Sequence, residues 1–541
     1  MHRLHAAGRH LASLVPGHRP QWVVVELSGS YPARIRRKPW FGLPLPAELG
    51  LSEPSLEELG RELESLGDAP WLEGVLLRIH DLRVDMATAY ALRRAIAALR
   101  HTGKRTVAWL SELDHHSYYV AAAAETVVAP PSAELRLFGF GASVTFLRDA
   151  LDKLGVRFEK LAIAEYKDAF DGLVRQTMSD GQREQLGALL DSIERQFAGD
   201  VAGDRRLGAD DVRRAIAEGV SSADRARDLH LLDRVAYEDE LLGAEHRTLP
   251  EVERFLRVRS RPIGEKRVAV VTVQGLLVTG RSRRSPLALP AIGSMMAGAD
   301  SIIQCLRAAT DDEQTAAIVL YVNSGGGSAL ASDLLWHEVR RVGLRKPVVA
   351  VFGGVAASGG YYLAAGARRI VAAPGTITGS IGVVTGKLVL GELYRRWGLN
   401  SEQLQRGRFA LLSHPARPLD DEERALLQRS SEEAYRRFVS CVAEGRGVSR
   451  ERVNELGRGR IWSGADALGC GLVDELGDAE RGIELAAELA GLPREAASWN
   501  VRAPAELLLP SPEDPSTLGR AFGTLLRERT LAIHPALVSV E

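Results

Sequence analysis

Short apolar runs alternate along the chain with stretches whose apolar residues recur at helical spacing. Trp22 to Leu27, Gly74 to Ile79, Thr106 to Leu110 and Thr126 to Ala129 read as strands. Ser55 to Leu66, Ala87 to Leu99 and Ser117 to Ala124 read as the helices between and after them. Farther along, the same order returns. Val268 to Val273, Ala317 to Val322, Val348 to Phe352 and Ile370 to Ala373 read as strands, and Ala299 to Ala308, Leu330 to Val342 and Tyr361 to Ala365 as helices. Strands that alternate with helices predict α/β units with parallel pairing.

The recurrence extends to residues. A shift of 243 positions carries Tyr118-Tyr119 onto Tyr361-Tyr362, Val128-Ala129 onto Val371-Ala372, Pro131 onto Pro374, Gly139 onto Gly382 and Gly155 onto Gly398. The C-terminal ends of the two stretches match in character, Leu231-Leu232-Asp233 against Leu472-Val473-Asp474. The constant shift of 243 from Tyr118 to Gly155 implies two tandem copies of one domain. The expected organisation is an N-terminal segment (1–20), a first repeat (21–245), a linker (246–265), a second repeat (266–495) and a C-terminal tail (496–541).

Composition narrows the class without naming a function. A chain of 541 residues with 26% charged and 45% hydrophobic residues has the make-up of a globular protein, and a net charge of −1 carries no nucleic-acid footprint. Cys305, Cys441 and Cys470 are too far apart for a metal motif or a disulfide framework and read as apolar fillers. The first 20 residues suit a short basic amphipathic helix, without the apolar core of a signal peptide, and no stretch has the ~20 apolar residues of a membrane span. A cytoplasmic or peripherally membrane-associated protein is the expectation. Basic charge is mostly arginine; lysine occurs only at 38, 104, 153, 160, 167, 266, 346 and 387. Since lysine can deprotonate in a protein and arginine cannot, each lysine is of interest.

Chemistry concentrates where the copies differ. In Gly353 to Ala367, Ser358 follows a strand and precedes a helix, where its hydroxyl and the next amide N–H groups form a candidate nucleophile and half of an oxyanion hole. The same small residues also serve plain close packing of backbones. Asn323-Ser324-Gly325-Gly326-Gly327-Ser328 fits neither phosphate-loop pattern and suits the other half of an oxyanion hole, or a simple turn. Under the shift, Ser358 falls on His115, the glycine loop falls on His80 to Asp85, and Lys167 falls on Ala410. The first copy thus has the lysine alone and the second the serine and glycines. No Ser-His-Asp order is defensible, His337-Glu338 lacks the second histidine of a zinc motif, and His115-His116 stands isolated. A lysine can serve as base only if burial lowers its pKa, and Lys167 lies between Leu161-Ala162-Ile163-Ala164 and Ala169-Phe170, an apolar setting that suits this. A solvated surface charge is the alternative for that lysine.

NSGGGS, AASGGYYLAAGARRIVAAPGTITGSIG, AEYKDAF and GRIWSGADALGCGLVDELG together resemble the signal peptide peptidase A family in its long, two-repeat form, over roughly 20 to 490. The resemblance implies an α/β fold of two tandem Clp protease/crotonase-like β-β-α superhelix domains and a serine endopeptidase acting on signal peptides or similar apolar peptides through an acyl-enzyme. It implies Ser358 as nucleophile, Lys167 as general base from the other repeat, and Ser380 as the serine that orients the lysine. It also implies an oxyanion hole of Gly359 with Gly326 or Gly327. No metal, nucleotide or other cofactor is implied. The implied partners are peptide substrates and further copies of the chain, a homo-oligomer of tetramer form, with peripheral membrane contact in place of the span many relatives carry. Gly325 stands where the family loop usually has proline. A crotonase-like acyl-CoA enzyme using the same two-amide hole, and a non-catalytic scaffold of the same fold, are the alternatives.

Overall fold

The computed structural model describes residues 19–34, 39–40, 43–44, 54–242, 246–256, 266–289, 293–503, 506–507, 531–533 and 538–540. Residues 1–18 of the expected N-terminal segment, 257–265 of the expected linker and most of the expected tail lie outside them. The chain forms two compact units. One gathers residues 1–140, 193–263 and 373–375; the other gathers 141–192, 264–372 and 376–541. Units and repeats are therefore not coextensive: 141–192, first-repeat sequence, belongs to the second unit with the serine.

The first unit is built on β1 (Trp22–Gly29), α1 (Leu56–Gly67), β2 (Gly74–Leu82), α2 (Met86–His101), β3 (Arg105–Leu110), α3 (His115–Ala121) and β4 (Thr126–Ala129). Its six-stranded sheet runs Arg234–Val235, β4, β3, β2, β1, His246–Thr248, with every pair parallel. Both faces of such a sheet are covered, so its strands are apolar runs rather than alternations. Val23, Val24, Val25 and Leu27 of β1 and Val75, Leu76, Leu77 and Ile79 of β2 are all buried. Helix α1 starts at Ser55, which forms a capping box with Glu58, and buries Leu59, Leu63 and Leu66 at helical spacing.

The second unit comprises, in chain order, β5 (Arg157–Ile163), α4 (Asp171–Val174), β6 (Arg267–Gln274), β7 (Leu276–Val278), α5 (Ala299–Asp311), β8 (Thr315–Ser324), β9 (Gly326–Ser328), α6 (Ala329–Gly343), β10 (Val348–Ala357), α7 (Gly359–Ala364), β11 (Arg369–Ala372), β12 (Ile377–Gly379), β13 (Val383–Val389), α8 (Asp421–Arg446), β14 (Ile461–Ser463), β15 (Ser498–Val501) and β16 (Leu531–Ile533). One sheet runs β14, β12, β10, β8, β6, β15, with β11 also on β10. A second places β5, β13, β16, β9 and β7 side by side, β5 pairing antiparallel with β13 from Arg157↔Val389 to Ile163↔Val383.

Two boundary segments carry more structure than their sequence announces. The expected linker supplies His246–Thr248, parallel to β1, and the expected tail supplies β15, parallel to β6. They are matching edge strands of the two copies, and edges as short as His-Arg-Thr lack an apolar run.

Equivalent atoms confirm the tandem repeat. Tyr118 Oη donates to Leu231 O at 2.8 Å and Tyr361 Oη to Leu472 O at 2.8 Å. Val127 N–H donates to Asp233 at 2.7 Å and Ile370 N–H to Asp474 at 2.7 Å. Arg205 pairs with Asp233 at 2.6 Å and Arg446 with Asp474 at 2.8 Å. Lys104 donates to the carbonyls of Ala69 and Leu72, and Lys346 to those of Ala309 and Asp312, so two of the scarce lysines are structural. Among the described residues no helix is long and apolar enough to cross a membrane. Because Tyr118 is fully buried, Tyr118→Phe strands the Leu231 carbonyl and should lower the unfolding free energy by about 1–3 kcal/mol in denaturant titration.

Candidate active site

Ser358 stands where β10 turns into α7. It takes φ 53° and ψ −114°, a conformation that a non-glycine residue holds only when its surroundings over-determine it. Its N–H donates to Gly379 O at 2.8 Å and its carbonyl accepts Tyr362 N–H at 2.8 Å, while its hydroxyl makes no capping bond. The backbone is thus fixed and Oγ is left for other work. The small residues also serve packing: a Cβ on Gly360 would come 2.4 Å from Ser324 O. In the first copy α3 starts at Asp114 with an ordinary φ of −86°, its carboxylate accepting Ser117 N–H at 2.9 Å. His115 there is buried, which pushes its imidazole down to about 4. That copy has neither the hydroxyl nor the strained corner.

Lys167 lies on the loop between β5 and α4 and is 2% exposed. Its Nζ is 2.7 Å from Ser358 Oγ, 3.0 Å from Ser380 Oγ and 3.1 Å from Ser380 O. Three partners satisfy the amine in either protonation state. As a neutral amine it donates two N–H groups to Ser380 and accepts the Ser358 O–H; as an ammonium it donates all three. Among the described residues no carboxylate pairs with it, and burial pushes its pKa down to about 7, against the opposing pull of Asp168. Asp168, itself pushed up to about 6 by burial, is held by Gln185 Nε2 at 2.9 Å.

The loop before β14 ties the parts together. Tyr166 N–H donates to Arg458 O at 3.1 Å, Ser380 N–H to Arg460 O at 2.7 Å and Gly459 N–H to Ile381 O at 2.8 Å. Among the described residues eight non-glycine positions have positive φ, and Ala164, Phe170, Ser358, Ser380 and Arg458 are five of them. Strain therefore concentrates in the loops of this one site.

The glycine loop NSGGGS becomes the end of β8 and β9. Gly326 has φ 105° and its N–H donates to Ser324 Oγ at 3.2 Å. Gly327 has φ 157°, and a Cβ there would lie 2.1 Å from Leu277 O, so the close strand pairing demands glycine. Another sequence candidate resolves as structure. Glu338 of His337-Glu338 is buried against Arg307 and Arg341. Sequence reasoning missed Gly459 and the carbonyls of Arg458 and Arg460. GRIWSG was visible as a shared motif, but main-chain partners leave no side chain to mark them.

The buried contact puts a candidate nucleophile against a candidate base. The family model for peptidase family S49 matches residues 98–249 and 341–493, together more than half of the chain, and that for Clp protease matches 292–376. The chain is 34% identical to the chloroplastic serine protease SPPA of Arabidopsis thaliana, covering 82% of this chain and 66% of that protein. It is 28% identical to protease 4 of Salmonella typhi, over 82% of this chain and 73% of that one, and 27% identical to protease 4 of Haemophilus influenzae, over 79% and 72%. The chain belongs to peptidase family S49, as a serine peptidase of the two-repeat, signal peptide peptidase A type. The fold is accordingly the tandem one that the resemblance implied.

Gly459 has φ +84° and a Cβ there would sit 2.5–2.7 Å from the backbone and Cβ of Lys167. Gly459→Ala should displace the amine and cut peptide turnover by about 100-fold, the cost of a misplacement near 1 Å, in a steady-state cleavage assay.

Proposed function

We propose that this chain is an endopeptidase with a Ser358–Lys167 dyad acting through an acyl-enzyme. The observation that carries the reading is the 2.7 Å separation of Lys167 Nζ and Ser358 Oγ in a fully buried setting. A general base must lie within such reach and be neutral at working pH, and the burial of Lys167 supplies the second condition. In this reading Lys167 takes the Ser358 proton as Oγ attacks the peptide carbonyl. The tetrahedral oxyanion is met by the amides of Gly359 and Gly327, since the Gly326 amide is turned to Ser324 Oγ. The lysine then protonates the departing amine, leaving an ester on Ser358. Lys167 next activates water to hydrolyse that ester. Ser380, with two oxygens on the amine, orients it throughout.

Peptide recognition is read from the second sheet. The chain's own β16 lies antiparallel to β9 (Gly327↔Ala532) on one side and to β13 (Val384↔Leu531) on the other. A slot between the glycine loop and β13 that accepts an extended segment suits strand-wise binding of a substrate peptide. Apolar peptides such as cleaved signal peptides, a homo-tetramer and peripheral membrane contact complete the reading by family resemblance.

Ser358→Ala and Lys167→Ala should each lower peptide cleavage by at least ~10³-fold with the fold intact by circular dichroism. Normal turnover by Lys167→Ala would overturn the dyad, and a fluorophosphonate that fails to label Ser358 would favour a non-catalytic scaffold. Because the base works unprotonated and its pKa is lowered to about 7, kcat/KM should rise through an acid limb centred near that pH.

A further inference from the structure

We propose that Lys160 and Asp171 are positioning residues for this reaction, a buried charged clamp that holds the strained loop carrying Lys167. Lys160 stands on β5 and its Nζ donates to the main-chain carbonyl of Lys167 at 2.7 Å while forming an ion pair with Asp171 at the start of α4. Both side chains are close to nine-tenths buried, 12% and 9% exposed. The loop between them enters through Ala164 at φ 81° and leaves through Phe170 at φ 71°. Such backbone persists only where neighbours over-determine it. Tyr166 is held on both sides, its N–H donating to Arg458 O and its carbonyl accepting Gln185 Nε2 at 3.2 Å. The carbonyl of Lys167 itself is held by Lys160.

The second copy is built differently at this place. The shift of 243 carries Lys160 onto Gln403, Asp171 onto His414 and Lys167 onto Ala410. Gln403 Nε2 and His414 Nδ1 also meet, at 3.2 Å. Gln403 and His414 lie outside regular structure, whereas Lys160 stands on β5 and Asp171 on α4, so the second copy shows only that its own segment does without a lysine–carboxylate bond. An ion pair stands only in the copy that carries the lysine, although a buried ion pair is seldom better for stability than a well-packed neutral one. The charge has a second consequence. The charged groups around Lys167 are Lys160 from β5, Asp168 from its own loop, Asp171 from α4, and Arg458 and Arg460 from the loop before β14, the two arginines paired with Glu165 and Glu184. Lys160 opposes protonation of Lys167 and Asp168 favours it.

The clamp rests on the reading of Lys167 as the base, and the tests separate the two. Lys160→Gln/Asp171→Asn keeps a neutral hydrogen-bonded pair like that of the second copy. Its kcat should fall about 10- to 100-fold per fluorophosphonate-titrated site, with KM changed less than about 3-fold and the acid limb moved to higher pH. Lys160→Arg in the otherwise unchanged chain should recover most of the rate. A double variant with unchanged kcat per titrated site and an unmoved acid limb would overturn the clamp, even if its thermal stability fell. Should Lys167→Met turn over normally, the dyad reading itself fails; should Lys167→Met be inactive and the double variant unaffected, the clamp alone fails.

Discussion

The site depends on removing one amine from water without giving it a counter-charge. A lysine beside a carboxylate would stay protonated, because an opposite charge favours the ammonium. Lys167 has two serine hydroxyls and a carbonyl as partners, and the carboxylate next to it in sequence, Asp168, is engaged by Gln185. Desolvation then outweighs attraction and the amine titrates far below an ordinary lysine. Much of the neighbouring structure follows from this. Gly382 and Gly459 leave no side chain where the lysine stem passes, since a Cβ on Gly382 would lie 3.2 Å from Lys167 Cδ. The loop Gly457 to Arg460 offers carbonyls rather than charges to the backbone of Tyr166 and Ser380.

The repeat makes a divided site affordable to the fold. Each copy keeps the tyrosine, aspartate and arginine bonds that close its own sheet and helices, while the segments around residues 80–85 and 323–328, 115 and 358, and 167 and 410 differ. The first copy has an ordinary aspartate cap at its helix corner. The second has Ala410 at the shifted position of the lysine. Residues 141–192 cross from the first repeat's sequence into the second compact unit, which is how one copy's lysine reaches the other copy's serine.

Much of this was legible in the sequence because it rests on periodicity and residue type. Parallel strands covered on both faces read as unbroken apolar runs, so β1, β2, β8 and β10 are plain, as is the shift that pairs Ser358 with His115 and Lys167 with Ala410. The resemblance to signal peptide peptidase A added the expected role of Ser380 and narrowed the candidate oxyanion amides to Gly359 with Gly326 or Gly327. Edge strands such as His246–Thr248 carry no pattern. The main-chain carbonyls that hold Tyr166 and Ser380, and the positive φ of Ala164 and Phe170, leave no mark in residue identity. The Lys160–Asp171 pair was visible as two charged residues among many; its contact with Lys167 O is a property of the folded loop.

The state of Lys167 can be observed without turnover. The chain has eight lysines, few enough for each side chain to be followed by [13Cε]-lysine NMR during a pH titration. The resonance that disappears in Lys167→Met should titrate with a midpoint at about 7. A midpoint near ~10.4, that of a solvated lysine, would contradict a neutral amine poised on Ser358.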